Sequence, residues 1–322
     1  MKRSLSFLII LLLTACNQNA SNQKPLKIGL CLWAGYAYSF VAQEKGLFEK
    51  QGVSAQLVFQ KDYEEAMHLY EVGELDGILL VMTDTIALNA KGIPTQAVFV
   101  TDYSESGDVI IGRPEFNSLS DLKGKTIAFE GIGTFSHLFV FKSLEKAGIQ
   151  EGEFKTANIL GTQVLEALDA GRVDAGHIWE PSVTEAVNKG YKVLASAGDI
   201  PGIITSTLNF RTEVIKQRPQ DIQAVVNAFI EARHFLETNP EEAIAIMAQA
   251  EGVSKDEMAQ GVKNVHILTL DENIAAIQPD GVLHNSGEMI IDFFSKKGQF
   301  PTLPDLNTVI NTQFILAAES SP

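Results

Sequence analysis

Cysteine is almost absent from this 322-residue sequence: there are two, Cys16 and Cys31. No disulfide framework can be built from them, and Cys31, in the apolar run Ile28-Gly29-Leu30-Cys31-Leu32, is expected to be a buried strand residue. Basic residues are also few, 25 Lys and Arg against 40 Asp and Glu, for a net charge of -15. Such a surface repels polyanions, which excludes nucleic acid and anionic lipid as partners. The six histidines are scattered, and no His, Cys or Asp spacing suggests a metal or a cofactor. Neither a Gly-x-Ser-x-Gly elbow nor a Cys–His pair in the expected cleft is present. Gly131-Ile132-Gly133-Thr134 lacks the lysine and the spacing of a phosphate loop. These absences argue against an enzyme.

What is present begins at the N-terminus. Met1, Lys2 and Arg3 give a positive start, and residues 5–13 form an apolar run too short to span a bilayer. The run reads as the hydrophobic part of a signal peptide and ends in Leu13-Thr14-Ala15-Cys16, a lipobox-like junction. The expected organisation is a signal peptide over 1–15, a lipidated Cys16 and a polar leash over 16–25. Lipid at Cys16 would anchor the chain at the periplasmic or outer face of a membrane, since more than one acyl chain gives stable attachment.

Strand-like and helix-like stretches then alternate. Strands are expected at 26–32, 55–59, 75–82, 96–100 and 109–112, with helices at 38–45 and 63–72 and a capping segment at Thr83-Asp84-Thr85. The pattern restarts with strands at 126–129, 156–159 and 175–179 and helices at 135–147 and 163–170. Beyond residue 210 it turns helical, at 218–237, 240–250, 256–263 and 287–297. The expected fold is therefore α/β and two-lobed, each lobe a mainly parallel sheet flanked by helices. Lobe 1 would take 26–107, lobe 2 would take 108–207, and 208–322 would return to lobe 1. Crossings are expected near 105–111 and 203–210.

In open α/β sheets ligands bind beyond the carboxyl ends of the strands. The residues there are Trp33 and Tyr36, Asp84, Asp102, Glu130, Trp179 and Glu180, and Asp199 before the return crossing. Both tryptophans fall in this set, and no Lys or Arg does. Carboxylates with aromatic neighbours suit a guanidinium-like cation, which pairs in a fork and stacks on rings. A sulfonate or nitrate would instead need donors. Each residue also has a plainer role open to it: Asp84 as a helix cap, Asp102 as a turn former, the tryptophans as core.

Three segments carry a family resemblance: Ala42-Gln43-Glu44-Lys45-Gly46-Leu47-Phe48, Ser120-Asp121-Leu122-Lys123-Gly124-Lys125 and Gly171-Arg172-Val173-Asp174-Ala175. The chain resembles the type II periplasmic binding proteins of ABC importers, in the aliphatic-sulfonate, nitrate, taurine and thiamine-precursor superfamily. Through Asp102-Tyr103-Ser104, Phe135-Ser136-His137-Leu138, Trp179-Glu180-Pro181, Asp199-Ile200-Pro201-Gly202 and Leu268-Thr269-Leu270-Asp271-Glu272 it is most similar to the urea-carboxylase-associated, guanidine-linked branch. The resemblance implies a monomeric extracytoplasmic protein that hands a small polar solute of guanidine or urea type to permease and ATPase subunits. The alternatives it leaves are sulfonate, taurine, nitrate or a pyrimidine precursor of thiamine as ligand, or an enzyme on the same fold.

Overall fold

The computed structural model describes residues 24–319. The signal segment, Cys16 and nearly all of the leash lie outside those residues. Eleven strands form within them: β1 (Leu26–Leu30), β2 (Ala55–Phe59), β3 (Gly77–Val81), β4 (Thr95–Ser104), β5 (Asp108–Gly112), β6 (Thr126–Phe129), β7 (Lys155–Asn158), β8 (Ala175–Trp179), β9 (Lys192–Ser196), β10 (Thr205–Arg211) and β11 (Val265–Ile267). They make two sheets, ordered β11-β4-β10-β3-β1-β2 and β7-β6-β8-β5-β9. β3 (GILLV) and β5 (DVIIG) are buried at every position, as strands covered on both faces must be.

The sheets are mixed rather than mainly parallel. β1 pairs in parallel with β2 and β3, and β6 with β7 and β8. β10 runs antiparallel to β3 and β4, and β5 antiparallel to β8 and β9. A parallel neighbour needs a helical crossover, whereas β5 and β10 arrive directly from the other lobe and escape that requirement. The chain leaves the first sheet between Ser104 and Asp108 and comes back between Ser196 and Thr205. The second lobe therefore ends before the expected residue 207, and β10 belongs wholly to the first.

The return segment covers the first lobe. Helices Pro219–Thr238 and Pro240–Glu251 each begin with proline at the first turn, where its missing N–H costs nothing. Both pack on the helix Ala34–Glu44, and Phe229 meets Tyr38, Phe48 and Phe99 in that core. Among the described residues no helix is long and apolar enough to cross a membrane.

Candidate functional site

β1 ends at Leu30, so Cys31 lies beyond the strand, buried and facing a cavity between the lobes. Trp33 follows as the residue that opens the helix Ala34–Glu44, with extended φ and ψ of -164° and 123°. The expected helix start near Tyr38 is thus four residues late, and Gly35 sits inside the first turn rather than in a loop. Trp33 is held twice. Its Nε1 donates to Asp102 Oδ1 at 3.0 Å, and its backbone N–H donates to Glu251 Oε1 at 3.3 Å. Thr101 donates to the other Asp102 oxygen at 2.9 Å. Asp102 is fully buried, and its role in this arrangement is to back Trp33 from behind the cavity wall.

The inner cavity has a volume of about 30 Å³ and is walled by Trp33, Tyr36, Tyr63, Phe135 and Trp179. Phe135 and Trp179 lie 5.8 Å apart between ring centres, and Tyr63 and Phe135 lie 5.4 Å apart. Gly161 makes room for Trp179: a Cβ there would stand 2.1 Å from the indole. One carboxylate joins these rings, Asp108, at the start of β5. Asp108 Oδ1 lies 3.0 Å from His177 Nε2, and His177 Nδ1 lies 2.7 Å from Ser136 Oγ, which accepts from the Glu130 N–H at 2.9 Å. In the tautomer with its proton on Nε2, His177 donates to Asp108 and accepts from the Ser136 hydroxyl at Nδ1. The order Ser–His–Asp has the look of a nucleophilic triad. Ser136 and His177 are completely buried, however, and the serine's hydroxyl is used on the histidine. The chain of bonds positions Asp108 and the Glu130 backbone.

A second, outer cavity of about 470 Å³ opens beside the first and shares Tyr63 and Phe135 with it. Asp84 and Glu130 both line it. Asp84 does not cap its helix, Met82–Ala90, which begins three residues earlier than a cap at Asp84 would place it; Val81 holds the cap position and makes no side-chain bond there. Instead Asp84 accepts from the Tyr63 hydroxyl at 2.6 Å. Burial pushes Asp84 up to about 7 and Asp102 up to about 6. Glu130 is pushed up to about 8, first by burial and then by the charges of Glu64 and Asp84. Its Oε2 is buried with no hydrogen-bond partner. Burial raises Glu251 to about 8 as well, and lifts the Cys31 thiol well above its usual range.

Two expected residues stand apart. Glu180 accepts from the Thr184 N–H and hydroxyl and from Asn264 Nδ2 at 2.8 Å, so its carboxylate is spent on its own helix and on lobe 1. Asp199 is exposed and accepts from Ser196 N–H in a capping box. Neither lines either cavity, because both carboxylates find nearer backbone and side-chain donors. Sequence reasoning missed Asp108 and Glu251. The available signal was weak: a carboxylate heading a wholly apolar strand, and one ending the apolar helix Pro240–Glu251 just before Gly252.

The charge balance of the interior is one-sided. Among the described residues Asp84, Asp102, Asp108, Glu130 and Glu251 are buried, and no Lys or Arg is. Lys91, at the outer cavity, is exposed and pairs with Glu71 at 2.9 Å. No group of three or more His, Cys, Asp or Glu among the described residues is placed to hold a metal ion.

Residues 19–251, most of the chain, match the NMT1-like family. The chain belongs to that family. A relative from Brucella abortus, provisionally named a binding protein, is 26% identical over 277 residues, covering 84% of this chain and 86% of its own. A relative from Legionella pneumophila, 24% identical over 65% of this chain and 68% of its own, is named 4-amino-5-hydroxymethyl-2-methylpyrimidine phosphate synthase. Of solved structures, the ligand-binding component of an ABC-type import system from Staphylococcus aureus superposes with a TM-score of 0.77 at 19% identity, over 93% of this chain and all of that one. The periplasmic aliphatic sulphonate binding protein of Escherichia coli gives 0.75 at 21%, over 90% of this chain and 92% of that one. This family member therefore has the two-lobed periplasmic-binding-protein fold.

Proposed function

We propose that this chain is the extracytoplasmic solute-binding component of an ABC importer, working with permease and ATPase subunits, and that it captures a compact cation of guanidinium or amidinium type. One observation carries the ligand reading: the aromatic inner cavity is lined by the carboxylate Asp108, and among the described residues no Lys or Arg is buried. A space of about 30 Å³ admits only a small group, roughly two water volumes as it stands. A guanidinium, with four heavy atoms, needs this space to widen slightly as the lobes part, with Asp108 as its partner and Trp33, Tyr36 and Trp179 as the ring walls it can stack on. The names of the Escherichia coli and Legionella neighbours favour rival readings, a sulfonate or a pyrimidine. A sulfonate in the inner cavity would stand against Asp108, and among the described residues no Lys or Arg is buried to meet it, which is the reason we set it second.

Calorimetry with guanidinium chloride at millimolar concentration, taurine and nitrate decides between these. Guanidinium should bind, and Asp108→Asn should weaken it by more than about tenfold, as expected when a buried charge pair loses one partner. Tight taurine or nitrate binding with guanidinium ignored would overturn the cation reading and leave the binding-protein role. Turnover of any of these compounds by the purified protein would overturn that role too.

Anchoring through Cys16 is part of the same proposal. Cys16→Ser should abolish incorporation of labelled fatty acid and release the protein from the membrane fraction. Label retained in that variant would show that the lipobox reading is wrong.

A further inference from the structure

The outer cavity is much larger than a guanidinium needs. Its walls are also of two kinds. Asp84 comes from lobe 1 and Glu130 from lobe 2, while Met67, Ala87, Ala90 and the shared Phe135 ring are apolar. Glu130 Oε2 is the decisive atom: it is buried without a donor, on a side chain that is 6% exposed, in a residue that lines the cavity. An unsatisfied buried carboxylate oxygen costs free energy until a donor reaches it. Tyr63 meets one oxygen of Asp84 and lines both cavities, so the two spaces adjoin at this residue and at Phe135, whose side chains stand between them.

We propose that Asp84 and Glu130 form a second cation subsite for a primary ammonium group, so that the protein accepts elongated dications with a guanidinium end in the inner cavity and an amine end in the outer one. An ammonium has three donors and no acceptor, which matches two carboxylates that line one cavity. The rings of Tyr63 and Phe135, which line both cavities, give a short polymethylene linker an apolar surface to lie against. Because the two carboxylates belong to different lobes, a cation between them also relieves the repulsion that closing the lobes imposes. Lys91 at the rim is already paired with Glu71 and does not meet this need. The proposal rests on the cation reading above, and the experiment separates the two.

Three probes serve: guanidinium, butylguanidinium and guanidinobutylamine, which differ by the linker and then by the amine. In calorimetry the wild type should bind guanidinobutylamine at least about tenfold tighter than butylguanidinium, the scale of a buried charge pair. Glu130→Gln, which keeps the shape, should erase that advantage while changing guanidinium binding by less than about threefold, as for a group outside the pair. Asp84→Asn should do the same and guards against a Glu130 variant that folds poorly. Equal affinity for the two alkyl probes in the wild type would overturn the subsite. So would an equal loss for guanidinium and guanidinobutylamine in both variants. If the wild type binds none of the three, the cation reading itself falls and the subsite with it.

Discussion

Gly35 has no side chain, and the carboxylate of Asp102 occupies the place where one would be. A Cβ at that position would stand 2.3 to 2.6 Å from the carboxylate atoms. Asp102 cannot easily retreat, because it is fully buried and bonded to the Trp33 indole and the Thr101 hydroxyl. Gly35→Ala sets two effects against each other. Alanine favours a helix by up to about 1 kcal/mol over glycine, whereas forcing extra volume into a packed site costs about 1–3 kcal/mol. The clash should win, because it falls on a side chain held from two directions. Urea denaturation should show a less stable protein, with the tryptophan emission of the folded state shifted as Trp33 loses its bond. A variant as stable as the wild type with unchanged emission would mean that Asp102 moves aside freely.

Elements were legible where one kind of pattern dominated. β2, β6 and β8 fall where their apolar runs placed them, and the long helices of the return segment start at prolines visible in the sequence. The start of the first helix was not, since Trp33 is no capping residue and Gly35 is a poor helix former; packing against the return helices and Glu251 holds it instead. The central position of β10 was hidden for another reason. Its Thr207 and Asn209 look like surface residues, yet both are buried and satisfied by Leu80, Thr85, Ile78 and each other. The cleft aromatics could be read from strand ends, but Asp108 enters the cleft, and Glu251 holds Trp33, only through pairings between distant segments. Asn264 shows the same limit. Its carbonyl accepts from Glu105, Ser106 and Gly107 in the first crossing, and its amide donates to Glu180 of lobe 2. A residue after an ordinary surface helix thus grips the hinge. On the other side Lys297 pairs with Glu151, while His137 packs between Phe141 and Phe293.

The whole molecule concentrates its unfavourable charge between the lobes, and that gives its stability a definite pH dependence. Asp84, Glu130 and Glu251 bind protons more tightly in the folded chain, up to about 7, 8 and 8, than carboxylates do when unfolded. Above the ordinary carboxylate range the folded state therefore holds more protons than the unfolded one, and stability must fall as pH rises through that window. His137 works the other way, since burial lowers it to about 4 and the unfolded histidine protonates below about 6.5. Its effect is complete above that pH. Between about pH 6.5 and 8.5 the three raised carboxylates are left to set the slope. Thermal denaturation of the ligand-free protein should give a lower Tm at pH 8.5 than at pH 6.5, and Glu130→Gln should flatten the decline. An ammonium between Asp84 and Glu130 stabilises their ionised forms, so guanidinobutylamine should raise Tm more at the higher pH and should release protons on binding. Calorimetry in buffers of different ionisation enthalpy reads that release directly. A ligand-free Tm that climbs between these two pH values would mean that the cleft carboxylates are already ionised and solvated, and the closed, acid-lined cleft would have to be abandoned as the resting state.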